Sequence, residues 1–130
     1  MPKFSQSSLS KLSTCHLDLQ WLFNEVIKYF DCTIICGRRT EADQNQAFAE
    51  GKSKLKYPNS KHNKIPSLAI DVCPFPINWK DRDRFYFFGG FVKGIACQLG
   101  INIRWGGDWD GDTDLADQNL YDLPHYELHL

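Results

Sequence analysis

A chain of 130 residues fits one domain with one hydrophobic core, and 42% apolar residues with 14% aromatic give it the makeup of a globular protein. Its 15 basic and 16 acidic side chains leave a net charge of -1, which gives no electrostatic case for a nucleic acid or an anionic membrane as partner. No apolar stretch approaches the roughly 20 residues of a membrane helix, so insertion in a bilayer is not expected.

The N-terminus, Met1 to Ser8, lacks a basic segment followed by an apolar run, so the chain reads as one made and folded in the cytosol as a monomer. Ser8 or Ser10 can cap a helix running to about Tyr29, because Leu19, Leu22, Phe23, Val26 and Phe30 recur at helical spacing. Thr33 to Cys36 is a β-branched run that predicts a buried strand, broken by Gly37 and a turn carrying Arg38 and Arg39. Thr40 with Asp43 resembles a capping box, so a second helix is expected over Glu41–Glu50, stopping at Gly51.

From Lys52 to Pro66 the chain is rich in Lys, Ser, Asn and Pro and predicts an exposed loop. Leu68 to Cys73 reads as a strand, with Leu68, Ile70 and Val72 towards the core and Ala69 and Asp71 on the other side. A third helix over about Asp81–Leu99 presents Phe85, Phe88, Val92, Ile95 and Leu99 on one face and stops at Gly100. Within it Gly89, Gly90 and Gly94 each cost about 1 kcal/mol relative to Ala, which suggests close packing against another element. Ile101 to Trp105 predicts a strand, followed by an acidic loop that Asp117 and Gln118 continue towards a terminal strand, His125–Leu130. The sum is a small single α+β domain spanning residues 1–130, with about three helices on a largely antiparallel sheet.

His62 and Asp71 flank a short loop, a soft base and a hard carboxylate of the kind that binds zinc. A catalytic zinc takes about three protein ligands and keeps one position open, so a further ligand must come from elsewhere. Tyr121–Leu130 holds two carboxylates and two of the four histidines. On a strand His125, Glu127 and His129 share a face, while Asp122, ahead of Pro124, stands on the loop just upstream. A carboxylate three residues before a metal-binding His is placed to take a proton from metal-activated water and pass it to a leaving amine.

Two other readings compete. A cysteine peptidase or amidase would use Cys73 with His125 or His62, since a thiol needs an adjacent imidazole to ionise near neutral pH. Strand alternation puts Cys73 on the face of Asp71, so its nearness to a site follows without a catalytic role. A non-catalytic peptide-binding module is the other, and an intact base at Asp122 speaks against it. The five cysteines (Cys15, Cys32, Cys36, Cys73, Cys97) form no C-x-x-C pair and read as mostly buried, reduced thiols.

In the acidic loop Asp108, Asp110, Asp112 and Asp114 alternate like the first half of a calcium loop. Thr113 where a Gly is required and Asn119 where a Glu is required exclude an EF-hand, leaving a looser calcium site or a solvated rim. Trp105 and Trp109 beside it belong either to the core or to a groove.

Ser60-x-His62 followed by Ala69-x-Asp71, then Asp122-x-x-His125-x-Glu127, resembles the signature of the zinc D-Ala-D-Ala carboxypeptidase/dipeptidase family. Its relatives include phage endolysins that act as L-alanyl-D-glutamate endopeptidases. Gly37-x-Arg39-Thr40 with Gln44, and Gly51-x-Ser53, match as well, so the resemblance runs from about Ile35 to Leu128. One departure is the loop: eight residues separate His62 from Asp71, more than the family pattern usually has.

The resemblance implies a hedgehog/DD-peptidase-like fold in which His62, Asp71 and His125 bind zinc and Asp122 is general base and acid. Arg39 would polarise the scissile carbonyl and stabilise the oxyanion, which suits its permanently charged donor fork. Ser60 would support the loop or the substrate, and Glu127 and His129 would orient His125 or be plain strand ends. The implied substrate is the peptide stem of bacterial peptidoglycan, cut at L-Ala–D-Glu by a phage or prophage endolysin that stays in the host cytoplasm until lysis. A D,D-carboxypeptidase is the alternative within the family.

Overall fold

The computed structural model describes residues 2–116 and 121–130; Asp117, Gln118 and Asn119, which the sequence assigns to the acidic segment, lie outside them. In chain order the elements are α1 (Gln6–Leu12), α2 (Leu17–Val26), β1 (Cys32–Cys36), α3 (Glu41–Ala49), a 3-10 turn (Lys61–Asn63), β2 (Ala69–Pro74), α4 (Arg82–Leu99), β3 (Ile103–Gly106) and β4 (Asp122–Leu128). The strands make one antiparallel sheet in the order β1-β2-β4-β3. This is the expected α+β class, with four helices among the described residues in place of about three.

The extra helix comes from a break in what read as one long N-terminal helix. Ser5, rather than Ser8 or Ser10, caps α1 by accepting the Ser8 N–H, and Ser8 is itself helical and buried, its hydroxyl taking the Ile34 N–H at 3.0 Å. The chain then turns, because the His16 N–H bonds the Ser67 carbonyl and the Ser67 N–H bonds the Thr14 carbonyl, both at 2.9 Å. These long-range bonds outcompete helix continuation, and the His16 ring caps α2 by accepting the Asp18 N–H.

Leu19, Leu22, Phe23 and Val26 of α2 are buried as their spacing requires, against the Phe85, Phe88 and Val92 face of α4 and the inner face of the sheet. Tyr126 sits at the centre, with Phe23 edge-on at 5.5 Å and the Trp105 ring stacked at 6.4 Å. Burying side chains of this size is worth about 2 kcal/mol each, so this face supplies the stability and frees the opposite face for polar groups. Trp105 is thus core, its indole N–H bonding the Leu123 carbonyl at 2.8 Å.

On α4, Gly89 alone bears out the expected close packing: a Cβ there would lie 2.2 Å from the Trp105 ring, whereas Gly90 and Gly94 have nothing within 4 Å. Asp81 caps the helix by accepting the Arg84 N–H, and Gly100 ends it in the left-handed region at φ 73°. Thr40 caps α3 as its spacing to Asp43 indicated.

Two boundaries move in ways that matter for the site. The segment 52–66 is not exposed throughout, because Ser60, His62 and Asn63 are buried in the 3-10 turn. The last strand begins at Asp122, not His125, so Asp122 stands on β4 and not on a loop before it. Among the described residues no helix is long and apolar enough to cross a membrane.

Candidate metal centre

The site is built from one row of residues across the sheet. Asp71 on β2 is the direct cross-strand partner of Cys36 on β1 and of His125 on β4, and such partners place their Cβ atoms about 5 Å apart. Ile70 and Val72 point to the core, so alternation turns Asp71 to the opposite face, and the same rule separates His125 and Glu127 from Tyr126 and Leu128.

His62 reaches this row from the 3-10 turn. Ser60 fixes the turn: its hydroxyl accepts the His62 N–H at 3.2 Å, and its own N–H bonds the Asn63 side chain at 3.0 Å, a complete capping box. Asn63 in turn donates to the Arg39 carbonyl and to Gln44, each at 3.2 Å. The long loop from His62 to Asp71 is absorbed by folding Ser67 onto Thr14 and His16 and tying the Leu68 N–H to the Lys61 carbonyl at 3.1 Å.

The polar atoms converge. His62 Nε2 lies 3.4 Å and His125 Nδ1 3.3 Å from the same Asp71 oxygen, Oδ1. His62 Nδ1 is 2.7 Å from the Gly37 carbonyl, an acceptor only, so in the neutral ring Nδ1 carries the hydrogen and Nε2 the lone pair. His125 Nε2 is 2.8 Å from a Glu127 oxygen, which fixes the opposite tautomer and turns the Nδ1 lone pair to the site. His62 is 2% exposed, and its Nε2 is a buried polar atom with no hydrogen bond. Two imidazole nitrogens within 3.4 Å of one Asp71 oxygen, with the Cys36 sulfur within 4.8 Å of ligand atoms of His62 and Asp71, are donors of a kind that suits zinc, and the buried His62 Nε2 without a hydrogen bond fits a ligand's place.

Electrostatics tie the group together. Burial disfavours charge on His62 and His125, yet the Asp71 carboxylate beside both rings prevails and raises them. Burial would raise Asp71, but the two imidazoles hold it well below the usual carboxylate range. Glu127 is buried too, and His125 and Lys61 bring it down to about 2. Asp122 is raised, by burial first and then by the charge of Asp71.

Asp122 stands beside the centre, its Oδ2 3.9 Å from His125 Nδ1. Gly106 allows this: at the bulge where β3 meets Asp122, a Cβ on residue 106 would lie 2.0 Å from the Asp122 carbonyl oxygen. Arg39 approaches from the other side, with Nη2 3.3 Å from Asp71 Oδ2 and Nη1 3.3 Å from Gln44 Oε1. Gln44, fully buried, also donates to Ser53 Oγ and the Leu55 carbonyl, so the guanidinium is held by a bonded side chain.

The structure therefore brings together His62, Asp71, His125, Asp122 and Arg39, and puts Ser60 under His62. His129 is exposed at the strand end and takes no part, whereas Glu127 orients His125. Trp109 lies over the site, its ring 5.4 Å from that of His125. Cys36 was not singled out from the sequence, although its sulfur falls within 4.8 Å of ligand atoms of His62 and Asp71; its place just before Gly37 on a strand was the available signal. Cys73 is fully buried in the core, where burial pushes its thiol up to about 12, so it is no nucleophile.

Three similarities to known proteins accompany this geometry. A family model described as phage L-alanyl-D-glutamate peptidase matches residues 1–129. The chain is 34% identical over 134 residues to the L-alanyl-D-glutamate peptidase of Escherichia phage T5, covering 97% of each. Its fold matches the crystal structure of the Serratia marcescens L-Ala D-Glu endopeptidase ChiX with a TM-score of 0.77 at 25% identity, over 98% of this chain and 90% of that one.

Proposed function

The chain belongs to the phage L-alanyl-D-glutamate peptidase family, and on that premise we propose that it is a zinc-dependent endopeptidase cutting the L-Ala–D-Glu bond in the peptide stem of bacterial peptidoglycan. The observation that carries this reading is the pair of imidazoles, each held through one nitrogen by the Gly37 carbonyl or Glu127, whose other nitrogens lie 3.3–3.4 Å from Asp71 Oδ1.

His62, Asp71 and His125 would hold the zinc, which when bound supplies Lewis acidity for the scissile carbonyl and acidifies water. The chain's own groups do the rest. Asp122, ionised, takes a proton from the attacking water and returns it to the leaving amine of D-Glu; its raised pKa makes it a better base than an ordinary aspartate. Arg39 donates to the carbonyl oxygen as negative charge grows there, a role that needs a fixed guanidinium, and Gln44 provides the fixing. Ser60 positions His62 and stands on the wall of a neighbouring cavity, from which it faces the stem peptide.

A second cation, calcium, is assigned to the acidic loop. Asp108, Asp110 and Asp112 present oxygens within 4.8 Å of one another, and Asp108 Oδ1 is buried without a hydrogen bond while Oδ2 accepts the Thr113 N–H. An all-oxygen set suits a hard ion. Asp114, the fourth alternating carboxylate, stands outside that group.

The enzyme would act as a monomer, held in the host cytoplasm until a membrane-permeabilising partner admits it to the wall. Mass analysis of fragments released from purified peptidoglycan, with and without a chelator, tests bond and metal together. New N-terminal D-Glu, lost on chelation and restored by zinc, is the expected result; release of terminal D-Ala instead identifies a D,D-carboxypeptidase. Cleavage indifferent to chelator overturns the zinc reading.

A further inference from the structure

Two cavities flank the metal centre and share Arg39, Lys52, Tyr121 and Asp122, one of about 720 Å³ and the other of about 480 Å³. Their chemistry differs. The smaller adds Lys54, Lys61 and Arg104 to the shared Arg39 and Lys52, against two carboxylates, Asp122 and Glu127. The larger has no such excess: its cations are outnumbered by acids that include Asp43 and Glu50, and its apolar wall carries Trp79. Trp79 is 59% exposed, so the core does not require it, yet its ring is held in place by stacking on Phe85 at 5.6 Å and 18°. A rigid, accessible aromatic plane edged by carboxylates and the Gln46 amide offers an apolar face together with hydrogen-bond acceptors, which is what the C–H face and hydroxyls of a sugar ring need.

The two halves of an L-Ala–D-Glu substrate differ in the same way. The L-Ala side is joined by an uncharged amide to the lactyl group of N-acetylmuramic acid, whereas the D-Glu side carries the carboxylates of the stem. We propose that the Trp79 cavity is a saccharide subsite for the muramoyl sugar, so that the sugar end lies there and the anionic stem lies in the lysine-lined cavity. Substrate polarity across the metal centre follows from this assignment, which rests on the L-Ala–D-Glu reading above.

The test compares zinc-loaded enzyme on two substrates, N-acetylmuramoyl-L-Ala-D-Glu-diamino acid and the same peptide bearing only an N-acetyl cap. The sugar-bearing substrate is expected to have the higher kcat/KM by about tenfold, mostly through KM, and Trp79→Ala to abolish that ratio while Trp79→Phe keeps most of it. A ratio near one in the native enzyme, or one that Trp79→Ala leaves intact, overturns the proposal. Binding of N-acetylmuramoyl-L-alanine, followed by titration calorimetry, separates this from the bond assignment. If neither peptide is cut, the endopeptidase reading fails, and the subsite stands on saturable binding that Trp79→Ala removes or falls with its absence.

Discussion

His125 Nε2 lies 2.8 Å from a carboxylate oxygen of Glu127, both residues being buried on the outer face of β4. This contact decides which nitrogen of His125 faces Asp71. Glu127 is itself anchored by Lys61 at 3.1 Å and Arg104 at 3.5 Å, so the ring is held by a carboxylate that cannot swing away. Glu127→Gln keeps the shape and is expected to weaken zinc binding about 10- to 100-fold, read by competition with a chromogenic chelator. Unchanged affinity would mean that the tautomer is fixed by something else.

Zinc uptake is expected to release protons and to tighten as pH rises. In the ion-free chain His62 is raised from 6.5 to about 10, by the Asp71 carboxylate against the opposing effect of burial. A raised imidazole pKa stabilises the folded chain fully below 6.5, and that contribution fades as pH climbs towards the folded value. Zinc needs the neutral ring, so its added stabilisation runs the other way. The gap in Tm between zinc-loaded and chelator-treated protein should widen between about pH 6 and pH 8. A gap that narrows over this range would contradict the assignment of His62.

Asp122→Asn should lower kcat by about 10²- to 10⁴-fold while zinc affinity stays within a few-fold of native. The native rate should also fall on acidification through a pKa above the ordinary Asp value of 3.8, since Asp122 is raised by burial and by Asp71. Steady-state kinetics over pH, paired with the chelator assay, checks both. Loss of zinc binding with the rate would place Asp122 among the ligands instead.

Gly89 and Gly90 should behave oppositely although they are neighbours on α4. Gly89→Ala drives a methyl group into the Trp105 ring and is expected to cost about 1–3 kcal/mol, seen as a lower denaturation midpoint. Gly90→Ala meets nothing within 4 Å and should stabilise by about 0.5–1 kcal/mol through helix propensity. Equal effects would show that the Trp105 contact does not limit the packing.

Much of the site is legible in the sequence. Alternation along a strand turns Asp71 away from Ile70 and Val72 and puts His125 with Glu127, whereas His62 and Asp122 stood out by residue type and by the family resemblance. The caps at Thr40 and Gly100 are legible for a similar local reason: both act within a few residues of themselves. The break between α1 and α2 is not, because bonds to Ser67, some fifty residues away, decide it.

The amino-acid order by itself determined the α+β class, through short-range periodicity, and nominated the proposed zinc donors and general base, through residue type and the family resemblance. Only the tertiary structure decided that Cys36 sits across from Asp71, that Glu127 sets the His125 tautomer, and that Asp122 stands on the strand at a bulge which Gly106 makes possible. Those facts are matters of register between strands far apart in the chain, and register is fixed when the sheet and its core close together, not by any segment alone.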